Sequence, residues 1–300
     1  MPFSKALPIR RHRLGTAASF SRSGFLRLAG SLASLLLILL ACGSPAPPIE
    51  HHSRPAGRII TLAPNLTEIV YALGCGERVI AADDFSNYPP EVRSLPKVGG
   101  LEPNAEKIIS LRPDLLLAST SADYSGLASQ LRRAGIPLVL VRTDRLDDVP
   151  PAIEQLSAAM RCGDGPRVAN QLRRALASVA QSRPDPPRVL FVASTDPLFV
   201  AGGGTFVDDL IRLTGGRNAA ADIHGWAQYS QEVLLSAPPD LVLFPGRSVS
   251  GSRIRRMLPK GRREGGVIAV DEDLFSRPGP RVAAAAKELA RIEDRWEGGR

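Results

Sequence analysis

Short apolar runs alternate with amphipathic segments from residue 58 to the end of the chain. The apolar runs predict strands at 58–62, 79–82, 115–118, 137–141, 188–193, 241–244 and 267–270. The amphipathic segments predict helices at 67–73, 104–111, 127–134, 206–213, 232–236 and 281–296. Strands and helices that alternate in this way are typical of α/β folds with parallel sheets.

One stretch of the first half recurs in the second half with the same chemistry at the same spacing. Glu106, Ser110, Pro113 and Asp114 correspond to Glu232, Ser236, Pro239 and Asp240. In both copies a predicted helix leads through a Pro-Asp turn into a Leu-rich strand. A Pro-Asp turn before an apolar strand is common by itself, but agreement along the whole stretch favours an internal duplication. The sequence therefore predicts two similar lobes.

Residues 164–182, between the two halves, have the pattern of one amphipathic helix. Its apolar stripe consists of Val168, Leu172, Leu176 and Val179. The pattern predicts about five turns before Pro184 ends the helix. A single helix between the lobes would hold them at a nearly fixed separation around a ligand cleft. The predicted organisation is an N-terminal lobe at 58–163, a connecting helix at 164–183 and a C-terminal lobe at 184–300.

The N-terminal segment has the features of an export signal. A basic stretch precedes the uncharged apolar run 28–41, which is shorter than the roughly 20 residues of a membrane-spanning helix. The residues around Cys42 resemble the bacterial lipobox, whose cysteine is lipidated and becomes the mature N-terminus. An unmodified cysteine after an ordinary cleaved signal is the alternative. We expect a signal peptide at 1–41, a lipid-anchored flexible tether at 42–57, and a periplasmic, membrane-anchored lipoprotein.

Charge and histidine content exclude several kinds of site. The net charge is +8, but the leader before Cys42 carries basic residues and no acidic ones, so the remainder is nearly neutral. This removes the main argument for a nucleic-acid partner. Of four histidines only His224 lies in the predicted folded part, which disfavours a multi-histidine metal site. We predict no cofactor and no metal site; an exported hydrolase that uses His224 is a minor alternative without a supporting nucleophile motif.

Two cysteines, Cys75 and Cys162, lie beside glycines at predicted helix ends. An exported protein can retain a disulfide between them. Two separate thiols are the alternative, because the sequence does not fix the distance between the two Cα atoms.

Several motifs occur in a characteristic order along the chain. Residues 63–68 follow the first strand and open a helix, which Asn65 would cap while Glu68 returns the bond. They are followed by Tyr88-Pro-Pro, Lys97-Val-Gly, the Pro-Asp blocks and the stretch 277–281. From about residue 58 to residue 290 the chain resembles the helical-backbone substrate-binding proteins of ABC importers, in particular the cobalamin-binding branch.

The resemblance implies a monomeric receptor that captures a large chelate and does no chemistry on it. The expected cargo is cobalamin or another corrinoid, with haem or a ferric siderophore as the alternative. The receptor would deliver its cargo to an ABC permease dimer with its ATPase subunits. In this family one glutamate on each lobe meets arginines of the permease, which assigns docking to Glu106 and Glu232. The alternative is that both glutamates lie at helix N-termini only because the helix dipole favours acidic residues there.

Cargo contacts are expected from aromatic side chains, because a large chelate presents flat faces. The candidates after strand ends are Phe85, Tyr88, Tyr124, Phe199 and Trp226. Phe199 and Trp226 match family positions that line the corrinoid cleft; an ordinary core position is the alternative for each aromatic. Leu101 and Ser119 stand where cobalamin receptors carry large aromatics.

Arginines that follow predicted strands could reach the rim of the cleft. Arg277 is a candidate cargo contact, and Arg142 and Arg247 occupy similar positions with a surface role as the alternative. Free arginines at the rim would suit carboxylates or phosphates. They would therefore favour haem or a ferric siderophore as cargo.

Overall fold

The computed structural model describes residues 55–259 and 266–299. The predicted signal peptide, the predicted lipidation at Cys42 and most of the tether lie outside these residues. Within the two described stretches, no helix combines the length and the apolar composition that crossing a membrane requires.

The first half of the fold, called the N-lobe below, is built around a parallel sheet. Its elements are β1 (Ile59–Thr61), α1 (Pro64–Ala72), β2 (Val79–Ala82), α2 (Ala105–Ser110), β3 (Leu115–Ser119), α3 (Ser125–Arg133) and β4 (Leu138–Val141). The strand order is β2-β1-β3-β4, and each neighbouring pair is parallel. All of these elements were predicted, because the strands are short continuous apolar runs.

The second half, called the C-lobe, contains a larger mixed sheet. It begins with β5 (Arg188–Thr195), β6 (Leu198–Ala201), α6 (Phe206–Leu213), β7 (Arg217–Asn218) and β8 (Trp226–Gln228). It continues with α7 (Gln231–Ser236), β9 (Leu241–Pro245), α8 (Gly251–Met257), β10 (Val267–Val270), α9 (Glu272–Ser276) and α10 (Val282–Gly298). The order is β10-β9-β5-β6-β8, with β7 also on β5. The strand β6 pairs antiparallel with both β5 and β8. Neither antiparallel pairing was predicted from the sequence.

The duplicated stretch folds in the same way in both lobes. In the N-lobe, Oδ2 of Asp114 accepts from the backbone N–H of Arg58 at 2.9 Å. In the C-lobe, Oδ2 of Asp240 accepts from the backbone N–H of Arg188, also at 2.9 Å. Each aspartate thereby holds the start of the lobe's first strand beside the strand that follows the Pro-Asp turn. The pairing of β1 with β3 matches that of β5 with β9.

Two helices lie between the sheets, where one was predicted. The connecting helix is α5 (Gly165–Ala177), which is shorter than the predicted five turns. Beyond it, the N–H of Gln181 donates to the carbonyl of Leu213 at 2.9 Å, so contact with the C-lobe ends the helix before Pro184. The second helix, α4 (Val149–Met160), carries Pro at its first turn, where proline is tolerated.

The two helices lie within one continuous core. Buried apolar side chains extend from β1 through α4 and α5 to β5 and α10, and include Ile59, Leu156, Leu172, Phe191 and Leu289. Close-packed side chains of this kind resist deformation. The α/β fold with two lobes is therefore confirmed, and the connection between the lobes is a packed helical pair.

A disulfide joins the N-lobe to this helical pair. Cys75 follows α1 and Cys162 follows α4, and their Sγ atoms are bonded with the Cα atoms 6.2 Å apart. The bond ties the end of α1 to the turn between α4 and α5.

Candidate functional site

Glu68 in α1 forms a charged contact between the lobes. Its buried carboxylate accepts two hydrogen bonds from Arg281, at 2.8 and 2.6 Å, and one from Arg277 at 3.2 Å. The two arginines lie between α9 and α10 in the C-lobe. Paired charge-assisted bonds of this kind fix geometry as well as add energy. The N-lobe helix and the C-terminal segment are therefore held together at this point.

Asn65 and Glu68 do not form the predicted capping box. The helix α1 begins at Pro64, and the N-cap residue Ala63 has no side-chain cap. Instead, Nδ2 of Asn65 donates to Oγ1 of Thr143 at 2.9 Å and to the carbonyl of Pro278 at 3.2 Å. Both residues are buried and serve the contact between the lobes, so this prediction was wrong.

The segment after β2 contacts the same region of the C-lobe. Asn87 donates to Asp273 at 3.3 Å and accepts from Arg277 at 2.8 Å. Asp273 also pairs with Arg247. Burial alone would raise the pKa of Asp273, but the hydrogen bond from Arg247 and the charges of both arginines hold that pKa below its ordinary value. The carboxylate is therefore ionised where the lobes meet.

A second charged contact joins the lobes through the segment after β4. Both carboxylate oxygens of Asp209, in α6, accept from Arg145, with Nε to Oδ2 at 2.7 Å. The backbone N–H of Leu146 donates to the same carboxylate at 3.0 Å. Burial pulls the pKa of Asp209 upward, but these donors outweigh burial and leave the pKa below its ordinary value.

Two of the predicted aromatic contacts, Phe85 and Tyr88, follow β2 beside this junction. Their exposed fractions are 54% and 43%. The guanidinium of Arg281 lies 3.9 Å from the centroid of the Tyr88 ring, a cation–π distance. The carbonyl of Phe85 accepts from Arg277 at 3.1 Å. The segment is therefore anchored to the C-lobe while both rings keep exposed surface.

Phe199 and Trp226 lie on the antiparallel strands of the C-lobe. Phe199 pairs with Gln228, and Ala201 pairs with Trp226, so both aromatic side chains point to the same face. The Trp226 ring packs against Phe191 and Phe206, with centroids 6.0 and 6.3 Å apart. Their exposed fractions are 36% for Phe199 and 45% for Trp226. Trp226 therefore has one supported edge and one open surface.

The region of Trp226 adjoins the contact between Arg145 and Asp209. His224 lies two residues before Trp226 and is exposed. A Cβ atom on Gly204 would lie 2.9 Å from His224 Cε1 and 3.7 Å from Arg145 Nη1. This places the N-lobe arginine next to the loop that carries His224 and leads into β8.

The other predicted cargo contacts, Tyr124 and Arg277, are buried. Tyr124 belongs to the N-lobe core, its hydroxyl donates to the carbonyl of Leu62 at 3.4 Å, and burial raises its pKa. Arg277 is 8% exposed, and its guanidinium binds Glu68, Asp273, Asn87 and the Phe85 carbonyl. Leu101 is exposed, whereas Ser119 is buried.

Glu106 and Glu232 occupy equivalent positions in the first turns of α2 and α7. Both are exposed. Behind them, Ile108 and Leu234 are buried at matching positions of the two helices. The helices differ beside the glutamates, since Val233 and Leu235 are exposed in α7 where α2 has Lys107 and Ile109. The two glutamates therefore occupy corresponding places in two similar structural units.

The carboxylates that pair with arginines at the lobe junction were not predicted from the sequence. Asp209 and Asp273 lie in first turns of helices, where acidic residues are common for local reasons. Their partners Arg145 and Arg247 are distant in the chain, so no local pattern indicates the pairing. The sequence does indicate that polar segments follow the strands in both lobes. It does not indicate which carboxylate in these segments pairs with which arginine.

Comparison with known proteins identifies the family. The sequence profile described as "Periplasmic binding protein" matches residues 59–260. A vitamin B12-binding protein of Pectobacterium atrosepticum is 32% identical over 242 residues, which cover 77% of this chain and 86% of the relative. An uncharacterized ABC transporter substrate-binding lipoprotein of Bacillus subtilis, YvrC, is 31% identical over 256 residues, 78% of each chain.

A solved structure agrees with the sequence matches. The apo form of the periplasmic heme-binding protein RhuT from Roseiflexus sp. RS-1 superposes with a TM-score of 0.71 at 31% identity. The match covers 80% of this chain and 99% of that chain. With the profile match over most of the described residues, these results show that the chain belongs to the periplasmic binding protein family.

Proposed function

We propose that this protein is the substrate-binding receptor of an ABC importer and that it carries a large metal chelate, cobalamin or another corrinoid. The observation that carries the proposal is the set of four partly exposed aromatic side chains, Phe85, Tyr88, Phe199 and Trp226. Two come from each lobe. Flat, partly supported rings suit the broad faces of a macrocycle.

The name of the Pectobacterium relative supports cobalamin as cargo. The name of the Roseiflexus structure supports haem, the second candidate, at a similar level of identity. Tyr124 and Arg277 are left out of the proposed contact set, because both are buried and already have protein partners. Arg277 instead stabilises the lobe junction.

We assign docking on the permease to Glu106 and Glu232. Their equivalent positions in two similar lobes would suit a twofold-symmetric permease dimer with its ATPase subunits. Exposed charge pairs of this kind mainly set orientation and association rate. The exposed Val233 and Leu235 beside Glu232 would add apolar contact on the C-lobe side.

The proposed location is the periplasmic side of the membrane, with a lipid on Cys42 and residues 42–57 as the tether. The word lipoprotein in the name of the Bacillus relative supports an anchor. We also retain the lobe division at 58–163, 164–183 and 184–300, in which the connecting segment includes α5.

Titration calorimetry of the purified protein with cyanocobalamin, haemin and a ferric siderophore tests the proposed cargo. We expect saturable one-to-one binding of cyanocobalamin, and recovery of the ligand unchanged. Nanomolar binding of haemin without corrinoid binding would move the cargo to the second candidate. Binding of none of the three would reject a chelate receptor.

Charge reversal tests docking separately from cargo binding. Glu106→Lys with Glu232→Lys should abolish cobalamin uptake by cells that depend on this receptor, while cyanocobalamin affinity stays unchanged. A control variant at an exposed glutamate between α1 and β2, Glu77→Lys, should leave uptake intact. A loss of cargo affinity in the double variant would place the two glutamates in the cleft and contradict the assignment.

A further inference from the structure

Arginines lie near exposed aromatic side chains of each lobe, and the structure pairs these arginines with carboxylates of the same chain. Arg145 binds Asp209, Arg247 binds Asp273, and Arg281 binds Glu68. Arg142 likewise has Asp148 at 2.9 Å. These four arginines are therefore already paired with carboxylates of the same chain.

The pair of Arg145 and Asp209 adjoins Trp226. Arg145 lies beside Gly204 and His224, and the chain enters β8 at Trp226 two residues after His224. Asp209 is one turn from Phe206, whose ring packs on Trp226. Bidentate geometry and the Leu146 N–H hold the carboxylate in place.

The pair of Arg247 and Asp273 adjoins Tyr88. Asp273 accepts from Asn87, the residue before Tyr88, and from Arg277. The side chain of Arg247 is 60% exposed, whereas that of Asp273 is 15% exposed. The carboxylate is thus embedded in the junction, and its arginine faces outward.

A carboxylate on a cargo would gain little from either arginine. To bind the guanidinium in a bidentate manner it must displace Asp209 or Asp273, or approach beside an existing negative charge. An amide on a cargo does not meet this penalty, because its carbonyl can accept a remaining guanidinium N–H and its NH₂ can donate to the carboxylate. Charge therefore discriminates between two classes of macrocycle that are similar in shape.

We propose that Asp209 and Asp273 are specificity-determining residues, which occupy Arg145 and Arg247 so that the cleft accepts chelates with an amide periphery and rejects those with a carboxylate periphery. The inference rests on the proposed function and assigns its substrate class to corrinoids. Specificity here arises from making the competing ligand unfavourable as well as from favouring the correct one.

Unmodified protein gives the first test. Its affinity for cyanocobalamin is compared with its affinity for the monocarboxylic acids made by hydrolysing one side-chain amide of the corrin ring. Because the paired arginines are partly exposed, we expect at least one of these acids, whose carboxylate meets Arg145 or Arg247, to bind more weakly by about fivefold. If every acid binds as tightly as cyanocobalamin, or more tightly, the inference is overturned.

Variants give the second test. Asp209→Asn and Asp273→Asn, made separately, should each increase haemin affinity by about fivefold, whereas cyanocobalamin affinity should not increase in either variant. Adding Arg145→Gln to Asp209→Asn should remove the gain, because the freed guanidinium is its source. The control is Glu154→Gln. Glu154 in α4 pairs with Arg173 in α5 at 2.9 Å, so this substitution also removes the carboxylate partner of an arginine, and it should leave haemin binding unchanged.

The outcomes separate this inference from the proposed function. If the unmodified protein binds cyanocobalamin but neither aspartate variant gains haemin affinity, the inference is wrong and the receptor function stands. If the unmodified protein prefers haemin to cyanocobalamin, the inference is also wrong, although a chelate receptor remains. If it binds neither ligand, both the proposed function and the inference fail.

Discussion

The two lobes share one folding unit and differ in what is added to it. In each lobe an aspartate after a proline, Asp114 or Asp240, holds the start of the first strand beside the strand that follows. The N-lobe presents its exposed aromatics on the segment after β2. The C-lobe presents Phe199 and Trp226 on an extra pair of antiparallel strands. The shared unit determines the fold, and in the proposed function the additions determine what the cleft would offer a ligand.

The lobes also bury a glutamate in opposite ways. Glu68, in the N-lobe, has both carboxylate oxygens bound by arginines. Glu293, in α10 of the C-lobe, is fully buried, and neither oxygen has a hydrogen-bond partner. The guanidinium of Arg183 is 3.7 Å away and also pairs with Asp294 and Glu297. Burial raises the pKa of Glu293 from 4.5 to about 8, although the Thr214 side chain and Arg183 both oppose the rise.

The largest expected effect is a change of pH dependence at Glu293. Between pH 4.5 and about 8 the unfolded chain has released a proton that native Glu293 retains, so stability falls as pH rises through this window. The full loss is about 5 kcal/mol. The substitution Glu293→Gln should remove this loss. In urea denaturation, the variant should have a higher free energy of unfolding than the unmodified protein at pH 8.5, but not at pH 4.5.

The same substitution at the paired glutamate should have the opposite sign. Glu68→Gln leaves two arginines at the junction without their anionic partner and should cost about 3 kcal/mol at neutral pH. Glu297→Gln, which removes a half-exposed partner of Arg183, should change stability by less than about 1 kcal/mol. Equal effects of Glu→Gln at positions 68 and 293 at pH 8.5 would contradict the distinction between the two sites.

The equivalence of the duplicated helices predicts matching losses of stability. Ile108 is 0% exposed and Leu234 is 2% exposed, so Ile108→Ala and Leu234→Ala should each lower the free energy of unfolding by about 3 kcal/mol. Urea denaturation measures both. A loss below about 1 kcal/mol in one lobe alone would show that the two units do not pack alike.

The smallest expected effects concern cargo affinity. Trp226→Ala should weaken cyanocobalamin binding by about 2 kcal/mol, and Phe85→Ala by about 1 kcal/mol, because each removes one aromatic face. Titration calorimetry measures both. Tyr124→Phe, a change within the N-lobe core, is the matched control and should leave affinity unaltered. Unchanged affinity in both alanine variants would place the site elsewhere.

The sequence predicted the repeated unit well because its signals are local. Continuous apolar runs, Pro-Asp turns and matched helix spacing each arise within one segment and recur in the other lobe. The strand β8 was missed because it is short and its partner β6 lies more than 20 residues earlier in the chain. The strand β6 was missed although it also pairs with β5, which ends at Thr195, just before β6 begins at Leu198. The connecting helix was predicted too long because its apolar pattern continues past Ala177, whereas the backbone N–H of Gln181 bonds to Leu213 of α6 and not to a preceding turn of the helix.

The site was predicted less completely because it depends on distant pairs. Asn65 and Glu68 match a helix cap locally, yet their partners are Thr143, Pro278 and two arginines beyond residue 276. Tyr124 follows strand β3, and Trp226 begins strand β8. The packing of each lobe, and not the local sequence, buries Tyr124 and leaves Trp226 half-exposed. Local sequence therefore does not distinguish the buried aromatic from the half-exposed one.

A crystal structure of the protein with bound cyanocobalamin is the most direct test of the claim that both lobes hold one chelate. We predict that the corrin lies between the lobes, with Phe85 or Tyr88 on one side and Phe199 or Trp226 on the other, while the contacts of Arg145 with Asp209 and of Arg281 with Glu68 stay intact. A corrin that touches one lobe alone, or that binds away from all four rings, would contradict the account.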